Sequence, residues 1–315
     1  MSLDLENIPE KDFILPFQLE KSQIRGRLVE ISSALDEIIS MHQYPKPINH
    51  LVGESVTLSL ALSSMLKYEG FFTLQAQGDG PVAMIVSDVR SPAFIRSCAH
   101  FDAERVSLAR EQIAAMKSPE TSQNHLAQFL GKGLLAFTVD RKGQAERYQG
   151  IVELEGASLT DCVQNYFRQS EQIGTGIHMA VGQRDWKWRA RAIMLQHMPE
   201  DGKNPEAGQG NIKEDEWRHA MIMMQSATVE ELLDPELSAQ DLLYRLFHED
   251  GIRVYEPQII KRDCRCTVEK IQNVVHMLPD EDRKDIVKDG RIEMTCEFCS
   301  KTFCLDPKTL DIIQD

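Results

Sequence analysis

The sequence predicts an α+β protein: a mixed α/β core with antiparallel hairpins, then a helical linker, then a small cysteine-rich domain. Three observations support this prediction. Apolar residues recur at helical spacing in some segments and alternate with polar residues in others. Strands are predicted in pairs and do not alternate singly with helices, which argues against a parallel α/β sheet. Five of the seven cysteines lie close to the end of the chain.

Two helices are predicted early in the core. The first has apolar residues at helical spacing, namely Leu28, Ile31, Leu35 and Ile38. Two prolines in the stretch MHQYPKPINH predict its end, because proline cannot donate the backbone hydrogen bond that a helix needs. A second helix is predicted from about Gly53 to Lys67.

Two antiparallel strand pairs follow. In FFTLQAQGDGPVAMIVSD, apolar Phe72, Leu74 and Ala76 alternate with polar residues before a Gly-Asp-Gly-Pro turn, which is the pattern of a β-hairpin. The runs GLLAFTVD and RYQGIVELEG flank a turn at Arg141–Gly143 and indicate a second pair. An amphipathic helix is then predicted from one apolar face: Leu159, Cys162, Val163, Tyr166 and Phe167.

The composition changes after Met198. PEDGKNPEAGQGNIKEDE is rich in glycine, proline and charge, which predicts a hinge. Short helical patterns without a strand pattern follow, including a capping box at Thr228–Glu231. Two apolar stripes accompany it: Trp217, Ala220, Met221 and Met224, then Leu242, Leu243, Leu246 and Phe247. We therefore predict a core domain at 1–198, a metastable linker at 199–262 that depends on its neighbours, and a small domain at 263–315.

Composition excludes several classes of protein. The chain has 315 residues, 42% of them hydrophobic and 27% charged, which is typical of a globular protein. Uncharged runs such as Ser55–Leu66 are too short to span a membrane, and the acidic N-terminal stretch does not resemble a secretory signal, so a cytoplasmic location is expected. The net charge of −14 argues against nucleic-acid binding, as do ten basic against twelve acidic residues from Lys261 onward.

The small domain is predicted to bind one Zn²⁺ through Cys264, Cys266, Cys296 and Cys299. A cytosolic CxC with a CxxC favours a metal or redox site over a structural disulfide frame. If the CxC lies in a strand, Cys264 and Cys266 project to the same side, and the CxxC turn supplies the other two thiolates. A helix is predicted at Val268–Leu278, a shorter one ending at Gly290, and a hairpin with the CxxC at its turn.

The other candidate ligands have simpler interpretations. Cys304 is either a small apolar residue in the strand after the CxxC turn or a rival ligand or resolving thiol. Cys98 and Cys162 lie in apolar patterns and are predicted to be inert core thiols, and His276 is predicted to be an exposed helical residue.

The zinc has two possible roles, and spacing alone favours an inert structural one. A thiolate is also the species that peroxide attacks, so oxidation to disulfides would eject the metal. Structural zinc contributes about 10–16 kcal/mol, which matches or exceeds the whole stability of a small domain at about 5–15 kcal/mol. Loss of zinc should therefore unfold this domain.

Sequence motifs argue against several rival functions. The chain contains no G-x-x-x-x-G-K-[ST], no H-E-x-x-H and no G-x-S-x-G, and four cysteines would close the coordination sphere that a catalytic zinc leaves open, so no enzyme is predicted. A zinc-ribbon module that binds protein or nucleic acid remains the alternative. The stretch HAMIMMQS and the Phe71/Phe72 hairpin are each either packed core or an adaptable binding surface.

Seven segments carry a resemblance that covers about residues 25–305: GRLVEI, HQYPKPINHLVGE, LKYEGFFTLQAQGDGP, ERYQGIVELEG, YFRQSEQI, LLYRLFHEDGIRVYEP and the terminal CRC with CEFC. In this order they resemble the redox-regulated heat-shock protein 33 chaperones, also called 33 kDa chaperonins. The resemblance implies a holdase that does not hydrolyse ATP, which is inactive when reduced and zinc-bound. Oxidants combined with unfolding conditions would activate it to bind unfolding client proteins.

The resemblance also implies site residues and partners. It assigns zinc to Cys264, Cys266, Cys296 and Cys299, with disulfides Cys264–Cys266 and Cys296–Cys299 in the oxidised form. It implies a homodimer when active, hand-over of clients to ATP-dependent foldases, and a linker and zinc domain that unfold to expose the client surface. No nucleic-acid or membrane partner is expected. Cys304 lies outside the four-cysteine pattern of the family, so its role could change the second pairing.

Overall fold

The computed structural model describes residues 9–115, 126–144, 146–171, 173–197 and 214–313. The chain divides into two compact units, Met1–Arg262 and Asp263–Asp315. Most of the predicted hinge, and Met198 before it, lie outside the described residues.

The larger unit contains two six-stranded sheets and seven α-helices among its described residues. Its strands are β1 Phe13–Leu19, β2 Arg25–Ile31, β3 Gly70–Gly78, β4 Val82–Arg90, β5 Phe94–Phe101, β6 Gly133–Arg141, β7 Tyr148–Glu153, β8 Thr175–Arg184, β9 Lys187–Gln196, β10 Ile252–Val254, β11 Gln258–Ile259 and β12 Lys261–Arg262. Its helices are α1 Ser33–Ser40, α2 Lys46–Met65, α3 Ala103–Ala115, α4 Leu159–Tyr166, α5 Glu214–Gln225, α6 Val229–Leu232 and α7 Ala239–Phe247, with π-turns at Leu126–Leu130 and Phe167–Glu171 and a 3₁₀ turn at His248–Asp250.

Both sheets are almost wholly antiparallel. The first has the order β10-β1-β2-β9-β8, with β11 also paired to β1. The second has the order β12-β5-β4-β3-β6-β7, in which β12 and β5 form the one parallel pair among the described strands. The mixture of helices with antiparallel sheets confirms the predicted α+β class.

Helix α2 lies at the centre of the larger unit and contacts strands of both sheets. Its interior carries several hydroxyl side chains, and these are satisfied locally: Thr57 donates to the Gly53 carbonyl and Ser59 to the Ser55 carbonyl, each at 2.7 Å. Because a buried hydroxyl costs free energy unless it is hydrogen-bonded, these contacts allow a polar-rich helix to be fully buried. No described helix is long and apolar enough to cross a bilayer.

The first sheet is buried on both faces. Along β9, Ala190, Ala192 and Met194 face the core around α2, while Ile193 and Leu195 face the opposite side. The alternation follows from the two-residue period of a strand. Both faces of this sheet therefore need a covering layer.

Helices α5, α6 and α7 cover the second face. They bury apolar side chains against β1, β2, β8 and β9, namely Ala220, Met224, Leu232, Leu233, Ala239, Leu242, Leu243, Leu246 and Phe247. The Phe247 ring stacks on Phe17 of β1 with centroids 6.0 Å apart. Helices of this length are marginal alone, so their stability comes from this packing. The buried Met224 belongs to the layer, whereas Ile222 beside it is 58% exposed.

Glycine gives the covering layer close access to the sheet. A Cβ at Gly176 of β8 would lie 2.2 Å from the Met221 sulfur, and one at Gly182 would lie 2.8 Å from Leu233. Both distances are shorter than those of real Cβ contacts, so a larger residue at either position would force the Met221 or Leu233 side chain to move.

A buried ion pair also joins the sheet to this layer. Glu30 of β2 and Arg191 of β9 are directly opposite in register, and their side chains meet at 2.6 Å with 5% and 2% exposure. Arg191 donates to the carbonyl of Leu237, just before α7, at 2.9 Å, and Arg189 donates to the Leu233 carbonyl at 3.2 Å. Arginines of the sheet therefore satisfy backbone acceptors between α6 and α7.

Within residues 263–313, the smaller unit contains two helices and one three-stranded antiparallel sheet. They are α8 Val268–Met277, α9 Asp280–Asp285, β13 Val287–Lys288, β14 Arg291–Thr295 and β15 Thr302–Leu305, in the order β13-β14-β15. Its core is small and consists of Val275, Ile292, Leu305 and Leu310, with four partly buried apolar neighbours.

Several predicted elements are confirmed. The hairpin of β3 and β4 forms with Phe72, Leu74 and Ala76 buried, and β6 pairs with β7. Thr228 and Glu231 form the predicted capping box, with each side chain accepting from the other residue's backbone N–H.

Four predictions about elements are wrong. Leu28 and Ile31 lie in β2 and not in the first helix, which begins at Ser33, because a strand followed directly by a helix imitates helical spacing. The second helix begins at Lys46, since prolines are tolerated in a first turn where N–H groups lack helical partners. The segment 199–262 does contain strands, β10 to β12, which are too short to show a pattern. The short helix of the small unit ends at Asp285, and β13 follows it.

We predict that Arg191→Met lowers the free energy of unfolding by up to about 3–5 kcal/mol, because it removes the closer partner of the buried Glu30 carboxylate and leaves only Arg189, at 3.5 Å. Urea denaturation measures the change. Arg245→Met is the matched control, since Arg245 is 40% exposed beside Glu231 and such surface pairs contribute about 0–1 kcal/mol. Equal losses in the two variants would contradict the role assigned to Arg191.

Candidate metal centre

Four cysteines of the smaller unit converge on one point. Cys264 and Cys266 lie between β12 and α8, and Cys296 and Cys299 lie in the turn between β14 and β15. Their sulfur atoms all lie within 4.8 Å of one another. The separations are 3.5 Å for Cys264 and Cys266, 3.7 Å for Cys264 and Cys296, and 3.4 Å for Cys266 and Cys299.

The CxxC pair is positioned by a tight hairpin turn. The register of β14 and β15 ends at Thr295 opposite Thr302, whose hydroxyls lie 3.0 Å apart. Inside the turn, the Cys296 carbonyl accepts from the N–H of Ser300 at 2.8 Å and of Cys299 at 3.3 Å. These backbone bonds fold the loop back on itself, so both thiols point to the same side.

The CxC pair is positioned by the start of α8. Thr267 caps that helix by accepting from the Lys270 N–H, and the Lys270 ammonium donates to the Arg265 carbonyl at 2.8 Å. The prediction that Cys264 and Cys266 lie in a strand is wrong, because residues 263–267 have no regular structure. The two thiols nevertheless converge, since the cap and the Lys270 contact hold the segment on either side of Arg265.

The thiols interact strongly in the absence of a cation. Burial disfavours the thiolate at Cys264, but the Cys266 backbone N–H and the neighbouring thiols outweigh it and lower the pKa of Cys264 to about 7. Burial, together with those same neighbours, raises the pKa of Cys266 and of Cys296. The cluster therefore gives up one proton readily and resists losing more, and a bound cation would supply the charge needed for further thiolates.

The structure separates these four from the other candidates. Cys304 lies in β15 opposite Glu293 and outside the group of mutually close sulfurs, and the exposed His276 also lies outside it. Cys98 and Cys162 are buried in the larger unit, and burial raises the pKa of Cys162 to about 12. The four close cysteines could hold a metal ion, as the CxC and CxxC spacing suggested.

Sequence reasoning missed the support behind the cluster. Leu310 belongs to the small core, its carbonyl accepts from the Gln272 side chain of α8 at 2.9 Å, and Leu305 forms a bridge with Ile312. No periodic pattern marks residues 306–313, so only their apolar side chains gave a signal.

Comparison with known proteins identifies the class. The family model described as Hsp33 protein matches residues 12–306. The "33 kDa chaperonin" of Caulobacter vibrioides is 36% identical over 301 residues, covering 94% of this chain and 95% of the relative. The "33 kDa chaperonin" of Pseudomonas fluorescens is 32% identical over 304 residues, covering 96% and 93%. These names support a chaperone function, and chaperones are generally not enzymes.

The chain belongs to the Hsp33 family. The fold agrees with this assignment: the crystal structure of the 33 kDa chaperonin, a heat shock protein 33 homolog, of Thermotoga maritima superposes with a TM-score of 0.78. That comparison covers 95% of this chain and 96% of the other, at 18% identity.

We predict that Cys264 of the metal-free protein reacts with iodoacetamide at pH 7 at least ~100-fold faster than Cys162, because loss of zinc should unfold the smaller unit and expose Cys264, whereas Cys162 stays buried with its pKa raised to about 12 and only a thiolate is nucleophilic. Mass spectrometry of timed samples measures both rates. Unfolding the whole chain in urea exposes both thiols to solvent and should bring their two reaction rates close together. Comparable rates in the folded protein would contradict the assigned thiol environments.

Proposed function

We propose that this chain is a redox-regulated holdase that is inactive while its four cysteines hold Zn²⁺ and active after they are oxidised. The convergence of four thiols in a unit with a very small core carries this proposal. The ligands are Cys264, Cys266, Cys296 and Cys299, with one ion per chain.

The sulfur geometry fits zinc. A tetrahedral zinc with bonds of about 2.3 Å to sulfur requires sulfur atoms about 3.8 Å apart, and three of the separations here are 3.4, 3.5 and 3.7 Å, with all four sulfur atoms within 4.8 Å of one another. Four soft thiolate donors favour zinc over magnesium or calcium, which prefer oxygen. When bound, the ion holds all four cysteines as thiolates and joins the CxC segment to the hairpin.

Oxidation changes this donor set. Each pair of thiols loses two electrons and two protons to form one disulfide, and peroxide is reduced to water. We assign the disulfides Cys264–Cys266 and Cys296–Cys299. The folded distances do not select this pairing, since Cys266 and Cys299, at 3.4 Å, are as close as Cys264 and Cys266, at 3.5 Å. Partners two or three positions apart stay near each other once the unit unfolds, whereas partners more than thirty positions apart do not.

Loss of zinc is expected to unfold the smaller unit and to weaken the end of the larger one. A core of four buried side chains supplies little of the stability that a folded unit needs. Only Asp263 separates Cys264 from β12, whose two residues pair with β5. Unfolding that starts at the cysteines can therefore pass along the chain into the linker, which we propose spans residues 199–262.

The client surface is proposed to be the sheet face under that linker. It is lined by apolar side chains of the first sheet: Phe13, Leu15, Phe17, Leu19, Leu28, Ile193 and Leu195. In the resting state α5, α6 and α7 cover this face, and each large side chain is worth about 1.5–3 kcal/mol when buried. Once uncovered, the face would offer an apolar surface to the apolar side chains that unfolding proteins expose.

The remaining features of the proposal follow from the family. We expect a homodimer in the oxidised state and hand-over of clients to ATP-dependent foldases, with no nucleic-acid or membrane partner. We expect the chain to work in the cytoplasm, where reductants keep the thiols available for zinc between oxidising episodes.

We predict that Cys296→Ser lowers the zinc content of the reduced protein and increases protease cleavage within residues 214–315, because one of the four ligands is lost. Metal analysis and limited proteolysis with mass spectrometry measure both effects. Cys304→Ser is the matched control, since Cys304 lies in the same hairpin but outside the sulfur cluster. Tight zinc and unchanged cleavage in Cys296→Ser would refute the ligand assignment.

We predict that the protein treated with peroxide at mild heat suppresses light scattering by a heat-unfolding client, whereas the reduced, zinc-loaded protein does not. Suppression requires the apolar face to be exposed, so it should rise together with zinc release. Equal suppression by both samples would leave a chaperone without the switch. No suppression by either would favour a structural zinc module that binds other partners.

A further inference from the structure

A second site lies in the larger unit, well away in sequence from the four clustered cysteines. It is a cavity of about 340 Å³ where the ends of β2 and β9, strands β3, β6 and β7, and the turn after α4 meet. None of its lining residues is a cysteine, and none belongs to residues 199–262. A ligand at this cavity would therefore act independently of the cysteine cluster and of the linker.

The walls of the cavity are mainly apolar and aromatic. Phe137 meets Tyr166 edge to face with centroids 4.3 Å apart, and Tyr166 meets Phe167 in the same way at 5.6 Å. Gly150 of β7 makes this packing possible, because a Cβ there would lie 2.3 Å from the Phe137 ring. Phe72 and Leu62 add apolar surface from β3 and α2. The site can therefore take a hydrophobic group of modest size.

Three arginines also line the cavity: Arg25, Arg27 and Arg141. Arg27 is partly buried, and its guanidinium reaches two carbonyls, those of Gly26 at 2.8 Å and Ser64 at 3.4 Å. Its Nε atom is buried and meets no acceptor within the described ranges. Burial and the neighbouring Arg25 lower the pKa of Arg27, as expected for a cation without a nearby counter-charge.

One carboxylate, that of Glu171, lines the cavity and is hydrogen-bonded by two tyrosines that also line it. A single oxygen of Glu171 accepts from the hydroxyls of Tyr148 and Tyr166, at 2.5 and 2.7 Å. These bonds lower the pKa of Glu171, so it stays ionised. Across the described part of the chain, no ion pair connects it or any other carboxylate to the three arginines. The lining thus has three cations against one anion that is already hydrogen-bonded.

Four of the seven segments that carry the family resemblance meet at this cavity. GRLVEI supplies Arg27, LKYEGFFTLQAQGDGP supplies Phe72, ERYQGIVELEG supplies Tyr148, and YFRQSEQI supplies Tyr166 and Glu171. These segments are far apart in the chain, and the proposed zinc and client chemistry uses none of these five residues.

We propose that the cavity binds a small amphipathic carboxylate, with a medium-chain fatty acid as the fitting class. The apolar tail lies among Phe72, Phe137 and Phe167, and the carboxylate accepts hydrogen bonds from the Arg27 guanidinium, assisted by Arg25 and Arg141. A carboxylate carries the charge opposite to that of the three arginines in the lining. A charge-assisted bond to a guanidinium is also among the stronger polar contacts in proteins.

The test is calorimetric titration of the full-length, reduced, zinc-loaded protein with decanoate below its micelle concentration. Decanol is the neutral control, because it has the same apolar tail without the carboxylate. We expect one saturable decanoate site per chain and binding of decanol at least about 10-fold weaker, since it lacks the charge that the arginines recognise. Equal affinity for both ligands, or no saturable binding of decanoate, would overturn the proposal.

Variants locate the site. Arg27→Gln should weaken decanoate about 10-fold or more and leave decanol unchanged. Arg25→Gln with Arg141→Gln alters two exposed residues and gives a second measurement that does not depend on folding around Arg27. Arg168→Gln, an exposed residue on the same turn that does not line the cavity, is the control. Unchanged decanoate affinity in both cavity variants would place the binding elsewhere and overturn the proposal. Because the cysteines take no part, this result is independent of the outcome of the light-scattering assay.

Discussion

The first sheet has two apolar faces, and the architecture of the larger unit depends on covering both. Helix α2 packs against one face, and α5, α6 and α7 pack against the other. The two coverings differ in kind. Helix α2 is twenty residues long and contacts both sheets, whereas α5 to α7 have twelve, four and nine residues. A long buried helix that contacts both sheets stays folded with the core. Short helices that pack on one surface only can unfold locally.

The covering layer and the cysteine cluster share one physical property: each is held by interactions outside its own local structure. The short helices depend on the sheet and on the carbonyl contacts of Arg189 and Arg191. The small unit has few buried side chains, so four thiols held by an ion would supply much of its stability. This arrangement suits a protein whose proposed activity requires partial unfolding.

Sequence patterns predicted the elements whose signal is local. Alternation identified the hairpin of β3 and β4, the Thr228–Glu231 capping box followed its motif, and the CxC and CxxC spacing identified the four cysteines that converge. The patterns failed where tertiary contacts decide. Strands of two or three residues such as β11 carry no period, and Glu30 and Arg191 pair although 161 positions separate them. The arginine-lined cavity was also missed, because its walls come from segments distant in the sequence.

The short strands β10, β11 and β12 occupy the outer edges of the two large sheets, next to β1 and β5. If residues 214–262 detach as proposed, two longer strands lose these neighbours, and a row of backbone N–H and C=O groups becomes available at each edge. An unfolding protein could then add an extended segment as a new strand. Such pairing depends on main-chain hydrogen bonds and not on side chains. It would therefore extend binding to clients that expose little apolar surface.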